Sequence, residues 1–174
     1  MTEGWLSPRA IDGGLDPVPL PPDIAGGLWL CGKRVVGPDP DLALARAKEA
    51  DIIVSFNETP ELQRDYPDYV TWLEDNLGAR SLWFPIPDLG APSLGQAEEM
   101  VEVMVTNVRI GRSLILHCAG GIGRAPTMAT LMLIEMGMKP IAAGAHIAHH
   151  RPMGGPEAGP QRELVEAFSA RRGH

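Results

Sequence analysis

Cysteine is scarce in this chain, which has only two, Cys31 and Cys118, among its 174 residues. Two cysteines do not suggest a disulfide framework, so the fold must be stabilised by an apolar core. Long apolar runs are also missing, since none approaches the roughly 20 residues of a membrane-spanning helix. The start of the chain lacks the basic-then-apolar pattern of a secretory signal. Together these features predict a cytoplasmic location and no membrane partner.

Positive charge is in short supply as well. The 15 Lys and Arg residues are outnumbered by 22 Asp and Glu residues, which gives a formal net charge of −7. This charge argues against nucleic acid or an anionic membrane as the main partner, because both attract basic surfaces. The hydrophobic fraction of 44% is ordinary for a globular protein. A chain of 174 residues is long enough for one domain and short for two.

Prolines interrupt the beginning of the chain at positions 8, 17, 19, 21 and 22. Proline fixes φ and lacks a backbone N–H. Residues 1–25 are therefore predicted to form an extended arm or flexible tail, without a regular helix or central strand. Residues 26–174 are predicted to form a single folded domain.

Beyond this arm, short apolar runs alternate with helix-like segments. We predict strands over residues 28–31, 51–56, 81–84 and 113–117. We predict helices over residues 39–50, 67–77, 93–111, 125–137, 140–150 and 158–171. This alternation indicates an α/β fold in which a central, mostly parallel sheet is flanked by helices. Ligands of such sheets bind beyond the carboxyl ends of the strands, where Cys118 falls.

The most informative segment is a glycine-rich loop that follows the last predicted strand and opens onto a helix. Between Cys118 and Arg124 lie Ala119, Gly120, Gly121, Ile122 and Gly123. Backbone N–H groups converge in such a loop and the helix N-terminus adds partial positive charge, so the loop is suited to bind an anion. The same field favours the thiolate form of a cysteine, which is a nucleophile. Arginine supplies a planar fork that suits a phosphate.

His117, Cys118, Gly121 and Arg124 match the pattern H-C-x-x-G-x-x-R. The segment resembles the signature of the cysteine-dependent protein tyrosine and dual-specificity phosphatases. The resemblance extends in order over residues 27–170 and is strongest for the small, kinase-associated-phosphatase-like type. It implies a phosphatase-type single domain over residues 26–174, a phosphocysteine intermediate, and no metal or other cofactor.

The resemblance also implies a role for each residue of the signature. Cys118 would be the nucleophile, and Arg124 with loop residues 119–123 would hold the phosphate oxygens. His117 would orient the loop and favour the thiolate without acting as a base. A buried core histidine is the other interpretation of His117, and the two do not exclude each other.

Two further residues occupy positions that carry functional side chains in the family. Asp88, in the segment Phe-Pro-Ile-Pro-Asp, stands where the family has its general acid, which protonates the leaving oxygen. The alternatives are that Asp88 is an ordinary turn residue, or that Asp75 is the acid although it falls within a predicted helix. Gln161 stands where many members have a water-positioning glutamine, and the alternative is a solvated residue at a helix start.

One departure from the family pattern concerns the residue after the loop arginine. Most members have Ser or Thr there, whereas this chain has Ala125. In the family that hydroxyl stabilises the leaving thiolate, so its absence predicts that the phosphocysteine is hydrolysed more slowly than it forms. Thr127 is not expected to substitute, because two residues rotate a helix position by about 200°.

Cys31 and three histidines each have two interpretations. Cys31 is either a small buried strand residue, which we favour, or the partner of Cys118 in a reversible disulfide. His146, His149 and His150 raise the question of a metal site, but no carboxylate or cysteine nearby completes one. We predict that they are partly exposed helix residues at the rim of the pocket.

These features predict a phosphomonoester hydrolase, and in particular a protein phosphatase that acts on phosphotyrosine, with phosphoserine and phosphothreonine as further candidates. Its partner would be a phosphorylated protein or a small phosphoester. The interior of the loop has no Lys or additional Arg, which gives no support to a highly charged inositol phosphate. Two alternatives stay open: a rhodanese-type sulfurtransferase, and a phosphate-binding module with poor turnover, which only Ala125 motivates.

Overall fold

The computed structural model describes residues 7–174, which build a five-stranded sheet with helices packed on it. The strands are β1 (Asp16–Pro17), β2 (Gly27–Gly32), β3 (Ile52–Ser55), β4 (Ser81–Trp83) and β5 (Ser113–Cys118). Their order across the sheet is β1-β2-β5-β3-β4. The pair β1 and β2 is antiparallel, and the other three pairs are parallel. The predicted α/β fold with a mostly parallel sheet is confirmed.

The helices of the described range are α1 (Pro8–Asp12), α2 (Lys33–Val36), α3 (Pro40–Arg46), α4 (Thr59–Gln63), α5 (Pro67–Asp75), α6 (Leu94–Arg109), α7 (Arg124–Glu135), α8 (Pro140–His150) and α9 (Gly159–Arg171). The six predicted helices are present, with ends that differ by a few residues. The largest difference is at α3, which ends at Arg46 because Lys48 and Glu49 adopt positive φ values of 54° and 57°. The one-turn helix α2 and the short helix α4 were not predicted, because such short helices have no detectable apolar period.

β5 lies at the centre of the sheet, between β2 and β3. Successive side chains of a strand point to opposite faces. Accordingly, Leu114 and Leu116 pack in one apolar cluster with residues of α6, α7, α8 and α9, whereas Ile115 packs in a second cluster with residues of α3 and α5. All three side chains are fully buried. This burial on both faces fixes the carboxyl end of β5, and therefore Cys118, inside the fold.

The starts of α6 and α7, two helices of the first cluster, are fixed in different ways. At the start of α6, Ser93 Oγ accepts a hydrogen bond from the Gln96 N–H, and the Gln96 side chain accepts one from the Ser93 N–H. This reciprocal cap satisfies two N–H groups that have no partner in the helix. α7 has buried residues at every position from Arg124 to Ile134. A helix that is buried all round positions its first turn, and so Arg124, with little freedom.

The prediction that residues 1–25 contain no regular helix is wrong for the described part of this arm. Ser7 caps α1, and Gly13 ends it with a φ of 81°. Proline at the first position of a helix loses no hydrogen bond, which explains why Pro8 is compatible with α1. β1 then adds an antiparallel edge strand, with Asp16 opposite Leu30. Residues 1–6 lie outside the described range, and the division of the chain at residue 25 stays a prediction.

Among residues 7–174, no helix combines the length and the apolar character needed to cross a bilayer.

Candidate active site

The glycine-rich loop connects the end of β5 to the start of α7. The Lys33 N–H, at the start of α2, donates to the Ala119 carbonyl at 3.0 Å, which ties the loop to the neighbouring segment. Gly121 has a φ of 69°, and a Cβ at this position would collide with the Cys31 carbonyl. Glycine is therefore required at position 121 both for its backbone conformation and for the close approach of β2.

A pocket of about 180 Å³ opens above this loop. The described residues that line it are Asp88, Leu89, Cys118, Ala119, Gly120, Ile122, Gly123, Arg124 and Glu157. The structure thus brings together the three side chains predicted to perform the chemistry, from β5, α7 and the connection between β4 and α6. Cys118 is only 3% exposed and lines this pocket, so a substrate reaches its thiol through the pocket.

Arg124 is almost fully buried and is held by a carboxylate that the sequence analysis missed. Its Nη2 donates to Glu61 Oε1 at 2.6 Å and its Nη1 to Glu61 Oε2 at 2.8 Å. Nη1 also donates to the Ile86 carbonyl at 2.7 Å. The two parallel bonds to Glu61 fix the plane of the guanidinium, which is the geometry that gives arginine its preference for planar anions. Through these hydrogen bonds Arg124 links the end of the glycine-rich loop to α4 and to the segment before Asp88.

Glu61 itself is well stabilised as a carboxylate. Burial acts to raise the pKa of Glu61, but hydrogen bonds from Arg124, the Glu58 N–H and Asn57 outweigh it, and the pKa lies below its usual value. No local motif marks Glu61 as functional. Its place at the third position of α4, where it completes a capping box, is the only local feature that sets it apart.

Asp88 lies in a tight turn on the side of the pocket. The Gly90 N–H donates to the Pro87 carbonyl at 2.8 Å, and Leu89 between them adopts a φ of 61°. One Asp88 oxygen accepts from the Leu89 N–H at 3.0 Å and lies 3.4 Å from Arg124 Nη2. Asp88 is thus both a turn residue and a pocket residue, with a side chain that is 67% exposed. Asp75, the alternative acid, is exposed at the end of α5 and does not line the pocket.

His117 is fully buried behind the loop. Its Nδ1 lies 3.4 Å from the Cys118 carbonyl, and its Nε2 lies 2.6 Å from the Tyr69 hydroxyl. Burial lowers the pKa of His117 to about 3, so the ring is neutral at pH 7. Burial also raises the pKa of Tyr69, which keeps its hydroxyl protonated. The arrangement is therefore a hydroxyl that donates to Nε2 and an Nδ1–H that faces the carbonyl. His117 contacts the loop as a neutral, hydrogen-bonded residue.

Arg151 is a second functional candidate that the sequence did not reveal. It is 3% exposed. Its guanidinium donates to the Gly121 carbonyl at 3.1 Å and the Gly120 carbonyl at 2.9 Å, and to Asp16 Oδ2 at 2.8 Å. In a planar trans peptide the N–H points opposite to the C=O. Arg151 therefore turns two loop carbonyls towards itself and directs the following N–H groups the other way, as an anion-binding loop requires.

Gln161 packs against the loop without lining the pocket. It is 1% exposed, so the interpretation as a solvated residue is wrong. Its Oε1 accepts from the Glu157 N–H at 2.7 Å, and its Nε2 lies 3.3 Å from the Gly90 carbonyl, to which it donates. Gln161 thus connects the turn that holds Asp88 to the segment before α9. Its water-positioning role stays a prediction.

The first turn of α7 contains Ala125, the position where most phosphatases of the family have a hydroxyl, and Thr127 follows two residues later. Ala125 is fully buried, and the hydroxyl of Thr127 is buried without a hydrogen-bond partner in the described part of the chain.

Cys31 is also fully buried in β2, beside His117 of β5. Burial raises the pKa of the Cys31 thiol, which keeps it protonated. Both cysteines are free thiols.

The histidines of α8 contact protein groups away from the pocket. His146 donates to the Pro19 carbonyl at 2.7 Å, and His150 donates to the His146 carbonyl at 2.9 Å. Neither these residues nor His149 line the pocket, so the prediction that they form its rim is wrong. Over residues 7–174, no group of three or more His, Cys, Asp or Glu side chains is arranged to hold a metal ion.

Curated relatives match parts of the chain. Cyclin-dependent kinase inhibitor 3 of Rattus norvegicus is 38% identical over 52 residues, which are 30% of this chain and 24% of the relative. A probable protein tyrosine phosphatase type IVA A of Dictyostelium discoideum is 28% identical over 87 residues, or 49% of this chain and 52% of the relative. The chain thus spans between a quarter and a half of the length of these two relatives.

Solved structures share the fold. A crystal structure of kinase associated phosphatase (KAP), in which serine replaces the catalytic-site cysteine, superposes with a TM-score of 0.72 at 19% sequence identity. The superposition covers 91% of this chain and 94% of that chain. At this level of identity the similarity establishes the architecture, which agrees with the expected phosphatase-type fold.

The family model that matches this chain is Tc-R-P, described as the DSP-PTPase phosphatase of polymorphic toxin systems. The match runs over residues 36–138, more than half of the chain, and contains Asp88 together with the whole loop from Cys118 to Arg124. It does not favour a rhodanese-type sulfurtransferase. The resemblance to cysteine-dependent phosphatases is confirmed, and the chain belongs to the DSP-PTPase phosphatase family.

Proposed function

We propose that this protein is a cysteine-dependent protein phosphatase that acts on phosphotyrosine, with phosphoserine and phosphothreonine as further substrates. One observation carries the proposal: a thiol, a guanidinium and a carboxylate line the same small pocket above a glycine-rich loop. Each of the three groups answers one need of phosphoryl transfer, which requires a nucleophile, charge neutralisation and a proton for the leaving group.

In the first step, the Cys118 thiolate attacks phosphorus, so that a sulfur–phosphorus bond forms and the phosphorus–oxygen bond of the ester breaks. Asp88 gives its proton to the departing oxygen, which leaves as an alcohol or phenol. Arg124 and the loop N–H groups bind the equatorial oxygens, on which charge accumulates. Because Glu61 already fixes the guanidinium, little reorganisation is needed when the phosphate arrives.

In the second step, water attacks phosphorus and loses a proton to Asp88. The sulfur–phosphorus bond breaks, which restores the Cys118 thiolate and releases inorganic phosphate. In the family, a hydroxyl after the loop arginine assists the departure of sulfur. Ala125 has none, and we infer that this step limits turnover.

The proposal includes a division of the chain and a compartment. Residues 26–174 act as the catalytic domain and residues 1–25 as an arm, whose described part packs on that domain through Asp16. A thiolate nucleophile stays active only where thiols are kept reduced, which points to the cytoplasm. The partners are phosphorylated proteins or small phosphoesters, rather than nucleic acid or membrane.

The test is rapid-mixing hydrolysis of p-nitrophenyl phosphate by the wild type and three variants. Cys118→Ser should abolish product release, and Asp88→Asn should lower the rate by about 10²- to 10⁴-fold. Asp75→Asn is the matched control, because it removes an exposed carboxylate outside the pocket, and it should leave the rate unchanged. A burst followed by slow turnover would support the limiting second step. Product release by Cys118→Ser at the wild-type rate would overturn the proposal.

A further inference from the structure

Glu157 is a pocket residue to which the chemistry proposed above gives no task. It lies in the connection between α8 and α9 and is exposed. Its backbone N–H donates to the buried side chain of Gln161 at 2.7 Å, which holds this residue in place. Its Oε2 lies 2.7 Å from the point that a Cβ on Gly123 would occupy. A carboxylate is therefore held against the loop that binds the phosphate.

The charged residues that line the pocket leave the Glu157 carboxylate without a positively charged partner of its own in the lining. Arg124 is the only positively charged residue among those that line the pocket in the described structure, and it is already paired with Glu61. Asp88 contributes one carboxylate to the lining and Glu157 a second. Because Asp88 carries the proton for the leaving group when substrate binds, Glu157 is the carboxylate that places negative charge beside the bound phosphate. The loop binds the phosphate by its N–H groups and Arg124, but nothing in the lining attracts a second anion.

Asp88 and Glu157 differ in what they do when substrate binds. In the proposed first step Asp88 carries the proton that it gives to the leaving oxygen. Glu157 has no such task, and its exposed carboxylate lies against the loop. It therefore presents a negative charge to whatever part of the substrate flanks the phosphorylated residue. Such a charge attracts Lys or Arg and repels Asp, Glu or a second phosphate.

We propose that Glu157 is a specificity-determining residue, which selects phosphorylated protein segments with a Lys or Arg next to the phosphorylated residue. The inference rests on the proposed phosphatase function and specifies its substrate class. It also makes polyanionic phosphoesters poor substrates, since an additional anionic group near Glu157 finds no compensating cation in the pocket lining.

The experiment compares three phosphotyrosine peptides that differ only in the residues on either side of the phosphotyrosine, which are Lys, Gln or Glu. The wild type should show a kcat/KM about fivefold higher for the Lys peptide than for the Gln peptide, as expected for an exposed ion pair. The Glu peptide should be about fivefold poorer than the Gln peptide. Both ratios should shrink towards one at high salt, because salt screens exposed charges.

Variants assign the preference to this one carboxylate. Glu157→Gln should remove most of the difference between the Lys and Glu peptides, and Glu157→Lys should reverse it. Glu166→Gln is the matched control, because it removes the same charge from an exposed position of α9 outside the pocket. It should keep the wild-type preference, which separates a local effect from the net charge of the protein.

The outcomes distinguish this inference from the proposed function. Suppose that p-nitrophenyl phosphate is hydrolysed in a Cys118-dependent reaction, but that the wild type and Glu157→Gln each have the same kcat/KM for all three peptides. This result would overturn the role of Glu157 and leave the proposed phosphatase function intact. A wild-type preference for the Glu peptide would overturn the role of Glu157 as well. If no Cys118-dependent hydrolysis of p-nitrophenyl phosphate occurs, the phosphatase function fails and this inference fails with it.

Discussion

Replacing Glu61 by glutamine tests whether the buried arginine of the pocket depends on its carboxylate partner. Arg124 has a side chain that is only 2% exposed, and it donates two hydrogen bonds of 2.6 and 2.8 Å to the Glu61 carboxylate. Breaking a buried ion pair by changing one partner costs about 3–5 kcal/mol. Here the cost should be smaller, because the Glu61 side chain is 22% exposed and glutamine keeps one oxygen that accepts.

We therefore expect Glu61→Gln to lower the free energy of unfolding by about 2 kcal/mol. The guanidinium loses its fixed plane, so kcat/KM for p-nitrophenyl phosphate should fall by about tenfold to a hundredfold. Urea denaturation and steady-state kinetics measure the two effects. Glu99→Gln is the control, since it removes an exposed carboxylate from α6 and should change stability by less than about 0.5 kcal/mol.

The pH dependence of the same variant adds a second test. The pKa of Glu61 is lowered in the folded protein from an ordinary value of 4.5. The stability that this carboxylate contributes is therefore present above pH 4.5 and is lost as the pH falls towards the folded pKa. The difference between wild type and Glu61→Gln should shrink over that window. A loss below about 0.5 kcal/mol at pH 7, with unchanged kinetics, would refute the reasoning.

Three further predictions concern residues around the loop. Burial lowers the pKa of His117 to about 3. The contribution of neutral His117 to the free energy of unfolding should therefore be fully present above pH 6.5, and the free energy of unfolding should fall by about 1.4 kcal/mol per pH unit below it. His117→Gln should flatten this slope in urea titrations between pH 7 and 5. Asp16→Asn leaves Arg151 buried without its carboxylate, and we expect unfolding to become easier by about 1–3 kcal/mol and the KM for p-nitrophenyl phosphate to rise. Ala125→Ser supplies the missing hydroxyl and should raise kcat while reducing the burst seen by rapid mixing.

Each of these three has a control or a contradicting result. Equal slopes for wild type and His117→Gln would show that His117 is not buried in its neutral form. Asp41→Asn disrupts an exposed ion pair with Arg80 and should have little effect, so equal losses in Asp16→Asn and Asp41→Asn would refute the role of Arg151. An unchanged burst in Ala125→Ser would assign the slow step to another cause.

Features of the site that depend on local sequence could be predicted. The strand, the loop and the helix around Cys118 follow one another along the chain, and their residue types alone indicate an anion site. α6 was predicted over residues 93–111 from apolar residues that recur at helical spacing, and the structure has it at Leu94–Arg109. Asp88 was singled out by the resemblance to the phosphatase family, since its Pro-rich segment alone indicates only a turn.

Features that depend on distant residues could not be predicted. Glu61 meets Arg124 across 63 positions, and Arg151 meets Asp16 across 135. An isolated Glu or Arg in a sequence gives no sign of a partner so far away. The helix α1 was not predicted because proline fixes φ and lacks a backbone N–H, which disfavours the interior of a helix. Pro8 instead begins α1, and Pro17 lies in β1 at the edge of the sheet, positions where a missing N–H costs little.

The central claim is that phosphate passes through Cys118, and the most direct measurement is to trap that intermediate. The wild type is mixed with p-nitrophenyl phosphate, quenched with acid within milliseconds to seconds, digested, and analysed by mass spectrometry. The account predicts a peptide that gains one phosphoryl group on Cys118, appears with the burst and is absent from Cys118→Ser. Hydrolysis by the wild type with no phosphoryl group on Cys118 at any time, or with the group on another residue, would contradict it.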